Sequence, residues 1–213
     1  MTCNIIFVRH GQSEGNLYRD FLGHTDRDLT DLGRCQAEKT AEFLKDRRID
    51  VIYSSDLKRA FHTALPLARI KGLPIIKNEN LREIYAGLWE NVNISTIKEK
   101  YSESYGIWQN NIGRAVLDGG ESVLQLQERI VKEIEKIIME NDGKTVAVFT
   151  HATPVRTFFS YINGKSIDEI IDIPWPLNAS VSEAVFKDGK FSQICYGVCD
   201  FMADLTSPMP KGI

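Results

Sequence analysis

The chain opens with an apolar run, Cys3-Asn4-Ile5-Ile6-Phe7-Val8, that ends directly in Arg9-His10-Gly11. Such a run reads as a buried strand, here over about residues 3–9. Its end delivers a cation, an imidazole and a glycine into a turn. Arg9 can hold an anion, His10 can act as nucleophile or base, and Gly11 lets backbone approach a ligand closely. Taken alone, the tripeptide is as easily an ordinary turn. The rest of the chain decides.

Strand and helix signals alternate behind it, which points to an α/β fold with a largely parallel sheet. Thr30 reads as the N-cap of a helix through about Arg47, with Ala37, Ala41 and Leu44 on one face. Asp50-Val51-Ile52-Tyr53-Ser54 reads as a strand. Ser55-Asp56 then reads as a cap pair for a helix carrying Leu57, Ala60, Ala64 and Leu67 inward. Pro66 is expected to kink or shorten that helix, and Gly72 to end it. Pro74 to Lys77 is a short strand. The stretch from about residue 85 to 120 is aromatic and polar, with Trp89, Tyr101, Tyr105 and Trp108. It reads as a helical cap insertion in a single domain of residues 1–213, its aromatics forming a small core of their own in preference to stacking on a substrate ring. Ser122 and Gln125 form a capping box for a helix whose stripe is Val123, Leu126, Ile130, Ile134, Ile137 and Ile138. Lys144 to Phe149 is a buried strand ending at Thr150-His151, and Thr153-Pro154 reads as the next cap-then-proline start. Asp188-Gly189 sets a hairpin between Ser180–Phe186 and Phe191–Tyr196. The tail after about Ser207 reads as loose.

Bulk properties exclude some classes. A net charge of −3 argues against a general nucleic-acid or anionic-membrane binder. No stretch approaches the roughly 18–20 apolar residues of a membrane span. Asn4 and Arg9 come too early for a signal peptide, so the expected compartment is cytoplasmic. Cys3, Cys35, Cys195 and Cys199 lack paired metal-ligand spacing and read as reduced thiols.

Three strands in this reading end in candidate chemistry: at Arg9-His10-Gly11, just before Arg59, and at His151. Carboxyl ends of parallel strands share one rim, so these residues are expected neighbours. Two arginines, two histidines and helix N-termini suit a dianion, phosphate above all. His24 and His62 read as structural or substrate-contacting.

The motifs, in order, resemble those of the histidine phosphatase superfamily, the phosphoglycerate mutase-like fold. Arg9 to Asn16 (Arg-His-Gly-Gln-Ser-Glu-Gly-Asn) is similar to its signature. Gly23-His24-Thr25-Asp26 with Leu29-Thr30 and Gly33 to Ala37 resembles its second segment. Ser54 to Ala60 with Thr63-Ala64 resembles the third, Leu81 to Ile84 with Gly87 and Trp89-Glu90 the fourth, and Thr150-His151 the fifth. The resemblance implies a three-layer α/β/α fold with a mostly parallel central sheet and a small helical cap insertion. It implies His10 as the nucleophile taking up the phosphoryl group, with Arg9, Arg59 and His151 around the transferring oxygens. Asn16 and Gly23 would contact phosphate or substrate. Glu83 would protonate the leaving oxygen and then activate water, its proton favoured by a bound phosphate dianion. No metal and no cofactor are implied; the partner is a small phosphorylated substrate, and a homodimer stays open.

The reaction expected is phosphomonoester hydrolysis through phosphohistidine. The alternatives are phosphoglycerate mutase-type transfer and a non-catalytic phosphate-binding module. Around the acid, the mutases' Glu-Arg-His-Tyr-Gly is replaced by Glu83-Ile84-Tyr85-Ala86-Gly87. In place of the mutases' adjacent cap arginines, Arg114 stands beside Ala115, with Lys98 and Lys100 elsewhere. Gly119-Gly120-Glu121-Ser122 resembles the phosphatase-like members. Ala152 and Asn91 depart from positions where glycine is frequent.

Overall fold

The computed structural model describes residues 1–207. The expectation of a loose tail beyond Ser207 falls outside them. In chain order the elements are β1 (Thr2–Arg9), α1 (Glu14–Tyr18), β2 (Asp20–Phe21), α2 (Asp31–Leu44), β3 (Val51–Ser54), α3 (Lys58–Lys71) and β4 (Ile75–Lys77). There follow β5 (Val92–Asn93), α4 (Ile94–Lys100), α5 (Ser102–Asn110), α6 (Val123–Glu140), β6 (Thr145–Thr150), α7 (Ala152–Ile162), β7 (Val181–Lys187) and β8 (Lys190–Val198).

The main sheet has the order β4-β3-β6-β1-β7-β8. Its first four strands run parallel, and β7 and β8 add an antiparallel edge. The α/β class and mostly parallel sheet expected from the alternation are therefore present. Side chains alternate along β1 and β6 between two cores. Cys3, Ile5, Phe7, Val146 and Val148 pack with α6 and α7 on one face. Ile6, Val8, Ala147 and Phe149 pack with Ala41, Leu44, Ala64 and Leu67 of α2 and α3 on the other. All six stripe residues of α6 are buried, each contributing about 1.5–3 kcal/mol by removal from water. Among the described residues no helix is long and apolar enough to cross a membrane.

Several local signals act as read. Thr30 caps α2, and Ser122 and Gln125 make both hydrogen bonds of the capping box. Gly72 ends α3 in the left-handed region at φ 64°. Asp188 and Gly189 turn the hairpin at φ 51° and 80°, the pair of positive values a type I′ turn requires. Asn91, which stands where glycine is frequent, holds φ 59°, a conformation asparagine tolerates better than most residues.

Other readings need correction. The helix after β3 starts at Lys58 with Leu57 as N-cap and no side-chain cap. Ser55 and Asp56 are committed elsewhere: Ser55 Oγ meets His151 Nε2 at 2.9 Å, and Asp56 forms a two-pronged pair with Arg82. Pro66 does not shorten α3, which runs on to Lys71. The helix after β6 begins at Ala152 with His151 in the N-cap position, so Thr153 is inside it and not a cap. Helix α2 stops at Leu44, short of Arg47.

Between residues 85 and 120 the chain forms α4, α5 and two short 3-10 turns. The brief β5 pairs with β2, bringing Phe21 against Trp89 and Trp108, with ring centroids 5.6 and 5.3 Å apart. Trp89, Tyr105 and Trp108 are buried in one cluster with the main core. The aromatics thus form a core, but one continuous with the sheet's own.

Candidate active site

Strand register builds the site. Arg9 lies opposite Thr150 and Ser54 opposite Phe149, so His10, His151 and Ser55 leave the sheet side by side. This is the carboxyl rim, where ligands of open α/β sheets gather. One cleft there is lined by Arg9, His10, Asn16, Gly23, Arg59 and Glu83, together with Phe21, Leu22, Trp108 and Trp175.

His10 is only 5% exposed, and its Nδ1 lies 2.7 Å from the Gly11 carbonyl oxygen. A carbonyl can only accept, so Nδ1 carries the proton and Nε2 keeps its lone pair. Burial, followed by the charges of Arg59 and Arg9, holds the His10 pKa well below the ordinary value. The ring is therefore neutral and oriented, the state a nucleophile needs. Its backbone is fixed as well: the His10 carbonyl accepts from Asn178 Nδ2 at 3.0 Å and Ala179 N at 3.1 Å.

Gly11 serves a different close approach from the one expected. A Cβ there would sit 2.5 Å from the Gly33 carbonyl oxygen, so α2, not a ligand, occupies the space beside it.

Arg59 is 1% exposed, and each of its three guanidinium nitrogens donates one hydrogen bond within the protein. Nε donates to His151 Nδ1 at 3.2 Å, and the terminal nitrogens donate to the Thr25 and Gly23 carbonyls at 2.8 and 2.7 Å. Arg9 donates to the Pro176 carbonyl at 2.6 Å. Burial lowers both arginines to about 10, which leaves them charged at neutral pH. His151 is not on the cleft lining. It sits behind, its ring centroid 5.1 Å from that of His10.

Asn16 Oδ1 accepts from Ser13 N, Ser13 Oγ and Asn178 Nδ2, each at 3.1 Å. With its oxygen so occupied, the amide nitrogen is the group that can donate to a ligand. Glu83 accepts from Ile84 N at 2.9 Å and Thr153 N at 3.3 Å.

Several residues that sequence reasoning did not assign hold these groups. Arg129 of α6 grips Glu121 with two hydrogen bonds of 2.9 and 2.8 Å and donates to the carbonyls of Asn80, Arg82 and Glu83. It fixes the loop that presents Glu83. Glu90 accepts from His24 N, Thr25 N, Thr25 Oγ1 and Ala86 N at 2.5–3.0 Å. It folds the loop whose carbonyls Arg59 holds. A Cβ on Gly23 would sit 2.1 Å from its Oε1. Their polarity within quoted motifs or on a helix was the only signal. His24 and His62 have structural partners, the Glu83 carbonyl and Asp28 Oδ1.

Among the described residues no group of three or more His, Cys, Asp or Glu side chains is gathered to hold a metal ion. Lys98, Lys100 and Arg114 do not line the cleft, and Arg114 is paired with Asp168 at 2.5 and 2.6 Å.

Arg9, His10, Arg59 and Glu83 thus share one cleft at the carboxyl rim of a parallel sheet, its imidazole neutral. The chain belongs to the histidine phosphatase superfamily (branch 1), whose model matches residues 5–198. It is 33% identical over 165 residues to phosphoserine phosphatase 1 of Hydrogenobacter thermophilus, covering 78% of each chain. It is also 33% identical over 173 residues to a 2,3-bisphosphoglycerate-dependent phosphoglycerate mutase of Cytophaga hutchinsonii, covering 79% of this chain and 81% of that one. Bacillus stearothermophilus YhfR shares the fold with a TM-score of 0.90 at 25% identity, over 93% of this chain and 99% of that one. The protein is thus an enzyme of the phosphatase or mutase type.

Proposed function

We propose that the protein is a metal-independent phosphomonoester hydrolase acting through phosphohistidine on a small phosphorylated metabolite. The observation that carries this reading is His10, neutral, with Nδ1 on the Gly11 carbonyl and Nε2 available in a cleft flanked by Arg9 and Arg59.

Phosphoryl transfer spreads charge over the equatorial oxygens, so positioned cations do most of the work. His10 Nε2 attacks phosphorus while Arg9, Arg59 and the Asn16 amide nitrogen hold the oxygens. Glu83 gives a proton to the departing alcohol oxygen. Water then attacks phosphohistidine, Glu83 takes the water's proton, and inorganic phosphate leaves. His151 acts from behind, keeping Arg59 and His10 in place. In the empty enzyme the Glu83 carboxylate accepts from the backbone amides of Ile84 and Thr153.

Hydrolysis is preferred over mutase transfer because, among the described lining residues, Arg9 and Arg59 are the sole cations. A phosphoglycerate carboxylate has no further positive partner there. In chelator, p-nitrophenyl phosphate is expected to release inorganic phosphate, and His10→Ala to abolish the release. Isomerisation of 3-phosphoglycerate dependent on 2,3-bisphosphoglycerate, outpacing hydrolysis, would replace this reading with the mutase. Tight binding of phosphate without turnover would leave a binding module.

A further inference from the structure

The mechanism leaves one buried cation unused. Arg156 of α7 is 3% exposed, and among the described residues no carboxylate pairs with it. A buried charge without a counter-charge is costly unless its donors are well satisfied. Two of its donors go to one segment. Nε donates to the Ile173 carbonyl at 2.6 Å and a terminal nitrogen to the Ile171 carbonyl at 3.0 Å. The guanidinium also lies 4.3 Å from the ring centroid of Trp175, a favourable cation–π arrangement.

The same segment is held from two other sides. Tyr196 donates to the Pro174 carbonyl at 2.7 Å, and Arg9 to the Pro176 carbonyl at 2.6 Å. Trp175 stands between two prolines, which fix their own φ and restrict the residue before each. The strap from Ile171 to Pro176 is therefore stiff in itself and fastened at four carbonyls. What it presents is Trp175, on the wall of the cleft, 6.1 Å from Trp108 between ring centroids.

That wall differs from the phosphate end. Phe21, Leu22, Trp108 and Trp175 are apolar, and Asp20 beside them is paired with Arg27 at 3.3 Å. None of these described lining residues is a cation that could pair with an anionic body, whereas a flat apolar body meets aromatic side chains.

We propose that Trp175 is a specificity-determining residue that receives an uncharged, ring-bearing alcohol portion of the phosphomonoester, and that Arg156 is the positioning residue that holds it. This rests on the hydrolase reading above and adds the substrate class to it.

The test compares benzyl phosphate with ethyl phosphate, both alkyl esters, so that protonation of the leaving oxygen is matched. The wild type is expected to favour benzyl phosphate in kcat/KM by about tenfold, roughly the value of one good aromatic contact. Trp175→Ala should collapse the benzyl-to-ethyl ratio toward one, mainly through the benzyl KM, and Trp175→Phe should restore most of it. Arg156→Met should shift the ratio the same way. A wild type without preference, or a Trp175→Ala that slows both esters equally through kcat, overturns the proposal. An Arg156→Met protein that folds and keeps the benzyl KM removes Arg156 from its role; if it does not fold, the Trp175 pair still decides. Should His10→Ala hydrolyse both esters as fast as wild type, it is the hydrolase reading that fails.

Discussion

Arg59 donates its Nε–H to Nδ1 of His151 across 3.2 Å. A guanidinium has no acceptor, so that nitrogen of His151 must be unprotonated. The ring's proton then sits on Nε2, facing Ser55 Oγ at 2.9 Å. Protonating His151 would set two buried cations against each other, and burial with Arg59 indeed lowers its pKa well below the ordinary value. His10 is depressed for the same reasons, so two imidazoles meeting edge to face and two guanidiniums coexist with only the latter charged.

This arrangement makes stability fall in mild acid. Below about pH 6.5 the unfolded chain protonates both rings while the folded chain resists. Unfolding then takes up protons, so stability is full above that pH and is lost as pH drops toward the depressed folded values. Each histidine contributes up to about 1.4 kcal/mol per pH unit in that window. Urea denaturation at pH 7.5 and 5.5 should show the loss, and His10→Asn should remove about 1 kcal/mol of it. An unchanged pH dependence in that variant would show the imidazole is not held neutral by the fold.

Glu83→Gln tests the acid. An alkyl alcohol needs its oxygen protonated as it leaves, whereas p-nitrophenolate scarcely does. The substitution should therefore slow ethyl phosphate by about 10²–10⁴-fold and p-nitrophenyl phosphate far less. Equal losses on both substrates would take Glu83 out of proton transfer.

What could be read from the chain and what could not divides on whether a side chain's partner is local. Asp188-Gly189 and Ser122 with Gln125 act on backbone one to three residues away, and both do what the local pattern says. Arg9, His10 and His151 were legible because parallel strands bring their carboxyl ends together whatever the details. Ser55 and Asp56 also look like caps, yet their side chains face His151 and Arg82. A cap and a tertiary partner compete for the same atoms, and only the local competitor is visible in sequence. Arg129 and Arg156 were missed for a related reason. On an amphipathic helix a polar side chain reads as solvated, and nothing nearby in sequence announces the carbonyls they hold.

Arg129 supplies a further prediction. It touches the carbonyl of Glu83, not the carboxyl, so it acts on where the acid stands. Arg129→Met should lower kcat for ethyl phosphate by about tenfold, the order expected from a small displacement of an acid. The loss on p-nitrophenyl phosphate should be smaller, as with Glu83→Gln. A uniform loss on both esters, with a lowered unfolding midpoint, would mean that Arg129 merely stabilises the fold.

The glycine contact beneath the nucleophile gives the last test. In α2, Gly33 sits in the first turn, where alanine is favoured by about 1 kcal/mol on helix propensity alone. A Cβ there, however, would lie 2.0 Å from the Gln12 carbonyl oxygen. Both sides of this contact are backbone, so no rotamer change relieves it. Helix α2 must move off the Gly11-Gln12 turn, and that turn follows His10 directly. Overpacking of this kind costs about 1–3 kcal/mol or more, which outweighs the propensity gain. Gly106 of α5 is the matched control, since a Cβ there meets nothing within 4 Å. Gly106→Ala should therefore raise stability by up to about 1 kcal/mol. Gly33→Ala should lower it and cut turnover of p-nitrophenyl phosphate at least about tenfold, because a nucleophile displaced by a fraction of an ångström loses its line of attack. Urea titration and steady-state kinetics on the two variants decide the matter, and a Gly33→Ala enzyme as stable and active as wild type would show that the α2 contact does not position His10.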